Sequence, residues 1–322
     1  MFNPTKDIPS LAGKVILITG GTYIDRARMK TVANDSTGNT GLGKETVLQL
    51  AKHDPKEIFL AARTPSKAEA AIADIKKAVP KGNVSFIQLD LTSFASIKHA
   101  ADEFNTRSDR LDILINNAGI MAVPWGKTKE GYELQFGTNH MGHALLTKLL
   151  LPTLLKTAEQ PNSDVRIINV SSEGHQMAPG AGIIYEQAEL EKWGTWRRYG
   201  QSKLANILHA RELARRYPSI TSTALHPGVI VTDLYASMNQ TLVGKVFGVI
   251  ASTATSAGLL YDVPKGAKNQ LWAATASKET VRQSYYWKPV ASKGSGSALA
   301  QKQDLAEKLW GWTEKELASK GY

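Results

Sequence analysis

Tyr199 and Lys203 stand four residues apart in WRRYGQSKLANILHA, a spacing that puts both side chains on one face of a helix. A phenol titrates near ~10 and moves protons poorly at neutral pH unless a nearby cation favours its anion, which an ammonium does. The pair can therefore serve as a general acid/base, although Tyr-x-x-x-Lys also arises by chance on surface helices. Ser171 and Ser172 close an apolar run, where a hydroxyl can face a ligand crevice or simply cap a turn. Asn139 lies inside a helical pattern, where asparagine is an indifferent choice; it either faces solvent or holds a water or a backbone carbonyl. Asn116-Asn117-Ala118-Gly119 follows another apolar run and reads as a turn, or as a place small enough for a flat ring to approach.

These residues must be carried by regular elements, and the hydrophobic pattern alternates accordingly. Lys14–Thr19 is a continuous β-branched run, as a buried parallel strand requires. Gly41–His53 carries a helical stripe, Glu57–Ala61 a strand, and Pro65–Val79 a helix with proline in its first turn. Val84–Gln88 is a strand leading to Asp90, Ser93–Arg107 a helix with Ser93 as N-cap, and Asp112–Ile115 a strand ending at Asn116. A long helix over Gly131–Thr157 contains Asn139. Strand Val165–Val170 then delivers the serines, and helix Trp196–Tyr217 holds the Tyr/Lys pair. Strand Ser222–Leu225 ends at His226-Pro227-Gly228. Helix Pro264–Ser277, strand Ser284–Trp287, a Gly/Ser turn at Lys293–Ser297 and helix Asp304–Leu317 close the chain. Repeated β-α alternation predicts a doubly wound parallel α/β sheet, a Rossmann fold in one domain over 1–322, with ligands at the carboxyl ends of the strands.

The first of those strand ends is interrupted. The run ends in Thr19-Gly20-Gly21 and resumes at Asn39-Thr40-Gly41-Leu42-Gly43, so Gly20 and Gly41 are 21 positions apart. With Thr22–Gly38 set aside, the join reads TGGNTGLGKE: a strand, a glycine turn and a helix start, with glycines where a pyrophosphate would touch backbone. Two accounts stand side by side. Thr22–Gly38 is a genuine insertion that shields or regulates the loop, or it is a translated intron. Codon choices exist that would place donor, branch-point and acceptor strings at Gly21-Thr22-Tyr23, Ala33-Asn34-Asp35 and Thr37-Gly38.

Composition narrows the classes. The chain has 322 residues, 42% hydrophobic, enough for a full core, and no cysteine, which excludes disulfides, thiolate metal sites and a cysteine nucleophile. The net charge of +10 is spread over single Lys and Arg residues with no basic stripe, which argues against nucleic acid. MFNPTKDIPS lacks the features of a signal peptide, and no apolar run reaches membrane-spanning length, so a cytoplasmic location is expected. Leu242–Ile250 is apolar but too short to span, and membrane contact is not expected. His140, His143 and His175 lack a carboxylate-rich partner set, so no metal is expected.

Together the split TGGNTGLG, Asp90-Leu91, Asn116-Asn117-Ala118-Gly119, Asn139, Ser172, Tyr199-Gly-Gln-Ser-Lys203 and Pro227-Gly228 resemble the short-chain dehydrogenase/reductase superfamily over roughly Lys14 to Tyr286. Asn139-His-Met-Gly-His143, Val170-Ser-Ser-Glu-Gly-His175 and the Tyr199 segment look most like its retinol-dehydrogenase and WW-domain-oxidoreductase-like branch. The resemblance implies that Tyr199 transfers the proton and Ser172 binds the substrate oxygen. It makes Lys203 the residue that holds the nicotinamide ribose and lowers the tyrosine pKa, with Asn139 positioning a relay water. It likewise implies cofactor contacts from Gly20, Gly21, Asn39, Thr40, Gly41, Leu42 and Gly43, from Asp90 and Leu91 at the adenine, and from Asn117, Ala118 and Gly119. Tyr199, Lys203, Pro227, Gly228, Val229 and Thr232 complete that set at the nicotinamide end.

A carboxylate ending the second strand would bind the NAD ribose and repel a 2′-phosphate. Ala62 and Arg63 stand there instead, which favours NADP(H) over NAD. In the resembled branch, the Ser172–Tyr199 loop and residues 229–262 cover the substrate. Trp193, Trp196, Tyr235, Met238, Leu242, Val246 and Phe247 make these apolar, pointing to a small apolar alcohol, ketone or aldehyde; alternatively they pack the core or a homo-oligomer interface. The expected function is an NADP-dependent oxidoreductase with Tyr199 as acid/base. The rival is a non-enzymatic or inactive Rossmann nucleotide binder, because Thr22–Gly38 interrupts the glycine loop.

Overall fold

The computed structural model describes residues 2–20, 41–228 and 261–322. After a short first helix α1 (Pro4–Asp7), strand β1 (Val15–Thr19) is buried along its whole length. Helix α2 (Leu42–Ala51), β2 (Glu57–Ala62), α3 (Pro65–Ala78), β3 (Val84–Gln88), α4 (Phe94–Arg107) and β4 (Ile113–Asn116) follow. Among the described residues the strands form one sheet in the order β3-β2-β1-β4-β5-β6-β7-β8, with β5 at Val165–Val170, β6 at Ile220–Leu225, β7 at Tyr286–Lys288 and β8 at Ser292–Gly294. All pairings are parallel except β7 with β8. The doubly wound parallel architecture is therefore present.

The core explains why the strands read as unbroken apolar runs. Val15 and Leu17 face one cluster with Phe59, Leu114 and Ile167, packed under α4 and the helices after β4 and β5. Ile16 and Ile18 face the other, with Val47, Leu50, Ile72 and Leu271 from α2, α3 and the helix Val263–Thr275. A strand covered on both faces can place an aliphatic side chain at every position, so alternation disappears. Sequence order reverses between β1 and β4, and the crevice at such a switch point lies beyond the carboxyl ends of those strands. Thr19-Gly20 and Asn116-Asn117-Ala118-Gly119 stand there.

Two elements depart from expectation. The long helix over Gly131–Thr157 begins with a short turn α5, Leu134–Phe136, passes through a π-helical stretch at Gly137–Met141, and only then runs as α6, Gly142–Ala158. Apolar periodicity cannot register a one-residue widening of the hydrogen-bond ladder. The Gly/Ser turn expected at Lys293–Ser297 instead overlaps β8, which pairs antiparallel with β7 through Tyr286↔Gly294. Helix α7 (Thr195–Arg216) carries the Tyr/Lys pair as expected, and a closing helix covers Gln303–Ser319.

Candidate active site

Helix α7 lies against the carboxyl end of β5, and Ser171 fixes that contact: its hydroxyl donates to Lys203 O at 2.7 Å. Lys203 Nζ in turn donates to Val170 O at 3.0 Å, as does Asn206 Nδ2 at 3.1 Å. Lys203 is 4% exposed, and burial lowers its pKa to about 8. Its Nζ lies 5.9 Å from the centre of the Tyr199 ring. Tyr199 is also buried, and its ring covers Gly174, where an added Cβ would come within 2.7 Å of Cε1. Gly174 belongs to the 3-10 turn Glu173–Met177 that Ser172 caps, with Ser172 Oγ accepting from Gly174 N at 3.1 Å. The turn following β5 thus packs its Gly174 on the Tyr199 ring, two residues from Ser172, while Ser171 is consumed in anchoring the helix.

Asn139 sits in the π-helical stretch and is fully buried. Its Oδ1 accepts from Ile120 N at 2.8 Å, and its Nδ2 donates to Ile120 O at 2.9 Å and Ser202 Oγ at 2.9 Å. Ser202 Oγ donates to Tyr199 O at 2.8 Å, so asparagine and tyrosine are joined through a serine between Tyr199 and Lys203. A Cβ on Gly119 would lie 3.1 Å from Lys203 Nζ and 3.3 Å from Asn139 Oδ1. Asn139, Lys203 and the end of β4 therefore meet at one point.

The glycine edge adjoins it. Gly20 has φ +75°, and a Cβ on Gly43 would fall 1.9 Å from Gly20 O and 2.9 Å from Asn117 Nδ2. Only glycine fits at position 43, and the two flanks of the interrupted loop are in contact. Asn117 Nδ2 donates to Thr19 O at 2.9 Å, tying this edge to β4. Helix α2 has Gly41 as its N-cap, which gives its first N–H groups no side-chain acceptor, an arrangement suited to phosphate. A close-approach glycine, a positive-φ glycine and an uncapped helix start at the switch point together fit a dinucleotide.

Of the other expected cofactor residues, Arg63 is exposed just beyond the buried end of β2, level with Gly20, whose N–H reaches Ala61 O at 2.8 Å. Asp90 is half-buried and accepts from Thr92 N and Thr92 Oγ at 3.0 and 2.7 Å; Leu91 is buried under Gly142. Ala118 packs on Gly20. Pro227 and Gly228 follow β6, with Gly228 at φ +100°. Gly21, Asn39, Thr40, Val229 and Thr232 lie outside the described residues. So do Thr22–Gly38, Tyr235, Met238, Leu242, Val246 and Phe247.

Sequence reading overlooked several residues. Ser202 is one. His226 is another: its Nδ1 accepts from Gly228 N at 3.1 Å and its Nε2 faces Glu173 Oε2 at 3.3 Å, linking the Pro-Gly turn to the serine turn. His175 Nε2 accepts from Ser297 N at 2.9 Å, which leaves Nδ1–H to donate to Ser172 O at 2.7 Å. Among the described residues no group of three or more His, Asp or Glu side chains could hold a metal ion. Trp196 is 37% exposed with its ring edge-on to Tyr199 at 6.2 Å, and Met177 is 40% exposed, so apolar surface borders the tyrosine. Trp193 is stacked under Arg197. No helix among the described residues is long and apolar enough to cross a membrane.

Fold and site together define a Rossmann-type dinucleotide crevice with a buried Tyr/Lys pair at its edge. The family model for short chain dehydrogenases matches residues 36–243. The chain is 39% identical to the short-chain dehydrogenase/reductase drtF of Aspergillus calidoustus, over 96% of this chain and 95% of that protein. It is 34% identical to human retinol dehydrogenase 13, over 95% and 92% of the two. The crystal structure of NADPH-bound carbonyl reductase from chicken fatty liver superposes with a TM-score of 0.58 at 25% identity, covering 86% of this chain and 97% of that one. The chain belongs to the short-chain dehydrogenase/reductase family, in its classical, retinol-dehydrogenase-like branch, an oxidoreductase family that uses nicotinamide cofactors.

Proposed function

We propose that the chain is an NADP(H)-dependent oxidoreductase acting on a small apolar alcohol, ketone or aldehyde, with Tyr199 as general acid and base. One observation carries this reading: buried Tyr199, Lys203 and Asn139 converge with the turn that Ser172 caps, beside the close-packed Gly20–Gly43 edge. A nicotinamide cofactor bound there supplies or takes up the hydride. The chain's residues bind and orient the reactants and move the proton. In reduction, the Tyr199 phenol gives its proton to the substrate oxygen, and the Ser172 hydroxyl donates a hydrogen bond to the same atom. The Lys203 ammonium holds the ribose and favours the tyrosinate left behind. Asn139 braces Tyr199 through Ser202 and orders the proton's route to solvent.

A bound cofactor would be held at its phosphates by Gly20, Gly21, Asn39, Thr40, Gly41, Leu42 and Gly43, at its adenine by Asp90 and Leu91, and at its carboxamide by Pro227, Gly228, Val229 and Thr232. NADP is favoured by the exposed Arg63 cation beside Ala62, where a carboxylate would repel the 2′-phosphate. Trp196 and Met177 at the rim favour an apolar substrate.

The test is a titration with NADPH followed by turnover of a panel of apolar carbonyl compounds, for the parent chain and Tyr199→Phe. We expect NADPH to bind both within about threefold, and turnover of Tyr199→Phe to fall by at least about a thousandfold. Equal turnover in both would overturn the role of Tyr199. NADPH binding without turnover of any compound would instead support a non-enzymatic nucleotide binder.

A further inference from the structure

Outside the residues assigned above, one buried side chain touches two parts of the site at once. His143 is 2% exposed and lies one turn beyond Asn139, at the start of α6. Its Nε2 is 2.8 Å from Thr19 Oγ1, at the end of β1. Its Nδ1 is 3.0 Å from Asn139 O.

The hydrogen-bond inventory sets the direction of both contacts. Thr19 Oγ1 already accepts from Asn117 N and Ala118 N, each at 3.0 Å. Its own proton must therefore go outward, and His143 Nε2 at 2.8 Å is far better placed to accept it than Ile115 O at 3.5 Å. With Nε2 accepting, a neutral ring carries its proton on Nδ1, which then donates to Asn139 O. Burial, aided by repulsion from Lys203, keeps the ring neutral, lowering its pKa to about 4.

The carbonyl being held is not ordinary helix backbone. Asn139 lies in the π-helical stretch, where Gly142 N reaches back to Gly137 O, five residues away. A widened turn of this kind recurs at functional sites and changes which intrahelical partners its carbonyls have. The Asn139 amide is anchored to Ile120 and Ser202, and the Asn139 carbonyl is anchored by His143.

We infer that His143 is a positioning residue for the reaction: held as its Nδ1–H tautomer by Thr19, it fixes the Asn139 carbonyl and couples the glycine edge of β1 to the Asn139–Ser202–Tyr199 chain. The inference rests on the catalytic reading proposed above, but part of its test does not. Selective 15N labelling of the histidine rings reports the tautomer directly. A His143 ring protonated on Nδ1 is expected; a ring protonated on Nε2 overturns the inference whatever the activity. Kinetics then separate positioning from packing. His143→Asn keeps an N–H donor near the Nδ1 place, whereas His143→Leu and His143→Gln do not. We expect kcat to fall about ten- to a hundredfold in His143→Leu and His143→Gln, with NADPH affinity within about threefold, and to recover most of that loss in His143→Asn. Equal losses in His143→Asn and His143→Gln, or a kcat within about twofold of the parent in all variants, would overturn the inference. If His143→Leu does not fold, the Asn/Gln comparison decides alone. Absence of turnover in the parent chain would count against the catalytic reading and leaves the ring tautomer as the deciding measurement.

Discussion

Lys203 is a cation in a place that disfavours cations. Its pKa falls to about 8 by burial, with Val170 O the partner that compensates part of the lost hydration. A lysine so poised is still largely charged at neutral pH, which is the state the role proposed for it beside Tyr199 requires. Arg63 presents the opposite situation, an exposed cation just beyond the buried end of β2, where the proposed function needs recognition of a 2′-phosphate. Replacing it by aspartate changes attraction for a 2′-phosphate into repulsion at the same place. For Arg63→Asp the ratio of kcat/KM with NADPH to that with NADH should fall by at least about tenfold, or about 1.4 kcal/mol of discrimination. An unchanged ratio would remove Arg63 from the cofactor argument. At this scale the Tyr/Lys pair was legible because i,i+4 spacing is a property of any helix. Ser202 and His143 were not, since a serine or histidine within a helix has no distinguishing pattern until its partners are known.

Elements explain how an interrupted motif can still form a site. Gly20 follows β1 and Gly43 lies in the first turn of α2, and the carbonyl of one occupies the space where the other would carry a Cβ. The strand and helix are thus docked against each other by the core, through Ile16, Ile18, Val47 and Leu50, independently of the residues joining them. Closing a longer connection costs only ~(3/2)RT ln n, a few kcal/mol at most, against that packing. Deleting Thr22–Gly38 restores the contiguous TGGNTGLG and leaves both docked ends in place. The deletion variant should fold, and its NADPH affinity, read by fluorescence titration, should rise. A fall in affinity would show that the removed residues contribute to binding. The glycines were readable from sequence because each is needed where backbone meets backbone. The contact of Gly20 with Gly43 across 23 positions was not, because proximity is set by sheet and helix packing.

For the whole molecule, burial of basic groups makes stability depend on pH. His143 and His209 are lowered to about 4, and His140 also lies well below the usual imidazole value, each chiefly by burial. Because the folded pKa is below the unfolded one, the unfolded chain binds the extra proton between pH 6.5 and 4. Acidification through that window therefore favours unfolding. Each of the two rings at about 4 contributes roughly 2 kcal/mol of destabilisation between pH 7 and pH 5. Lys203 follows the same sign in another window: its burial cost is present below pH 8 and is relieved as pH rises from 8 towards 10.5. Urea unfolding at pH 7, 6 and 5 should show decreasing stability, with a shallower decrease for His209→Phe, whose ring can keep the stack on Trp310. An identical pH slope in the variant would mean that His209 is not neutral by burial.

What the sequence determined by itself was whatever local chemistry dictates. Continuous β-branched runs became central strands because both faces of the sheet are covered, and helix stripes became the covering layers. Tyr199 with Lys203, and Gly41 with Gly43, were recognisable because helix geometry fixes their relation to each other. Only the tertiary structure decided which strand ends meet at the switch point, that Asn139 sits in a π-helical stretch, and that Ser171 anchors α7 while Ser172 caps the turn whose Gly174 packs on Tyr199. It also decided that His143 spans Thr19 and Asn139. The physical reason is range: spacing along one element is a local property, whereas contacts across 63 or 124 positions of chain, as for Asn139–Ser202 and Thr19–His143, exist only once burial has chosen which faces pack.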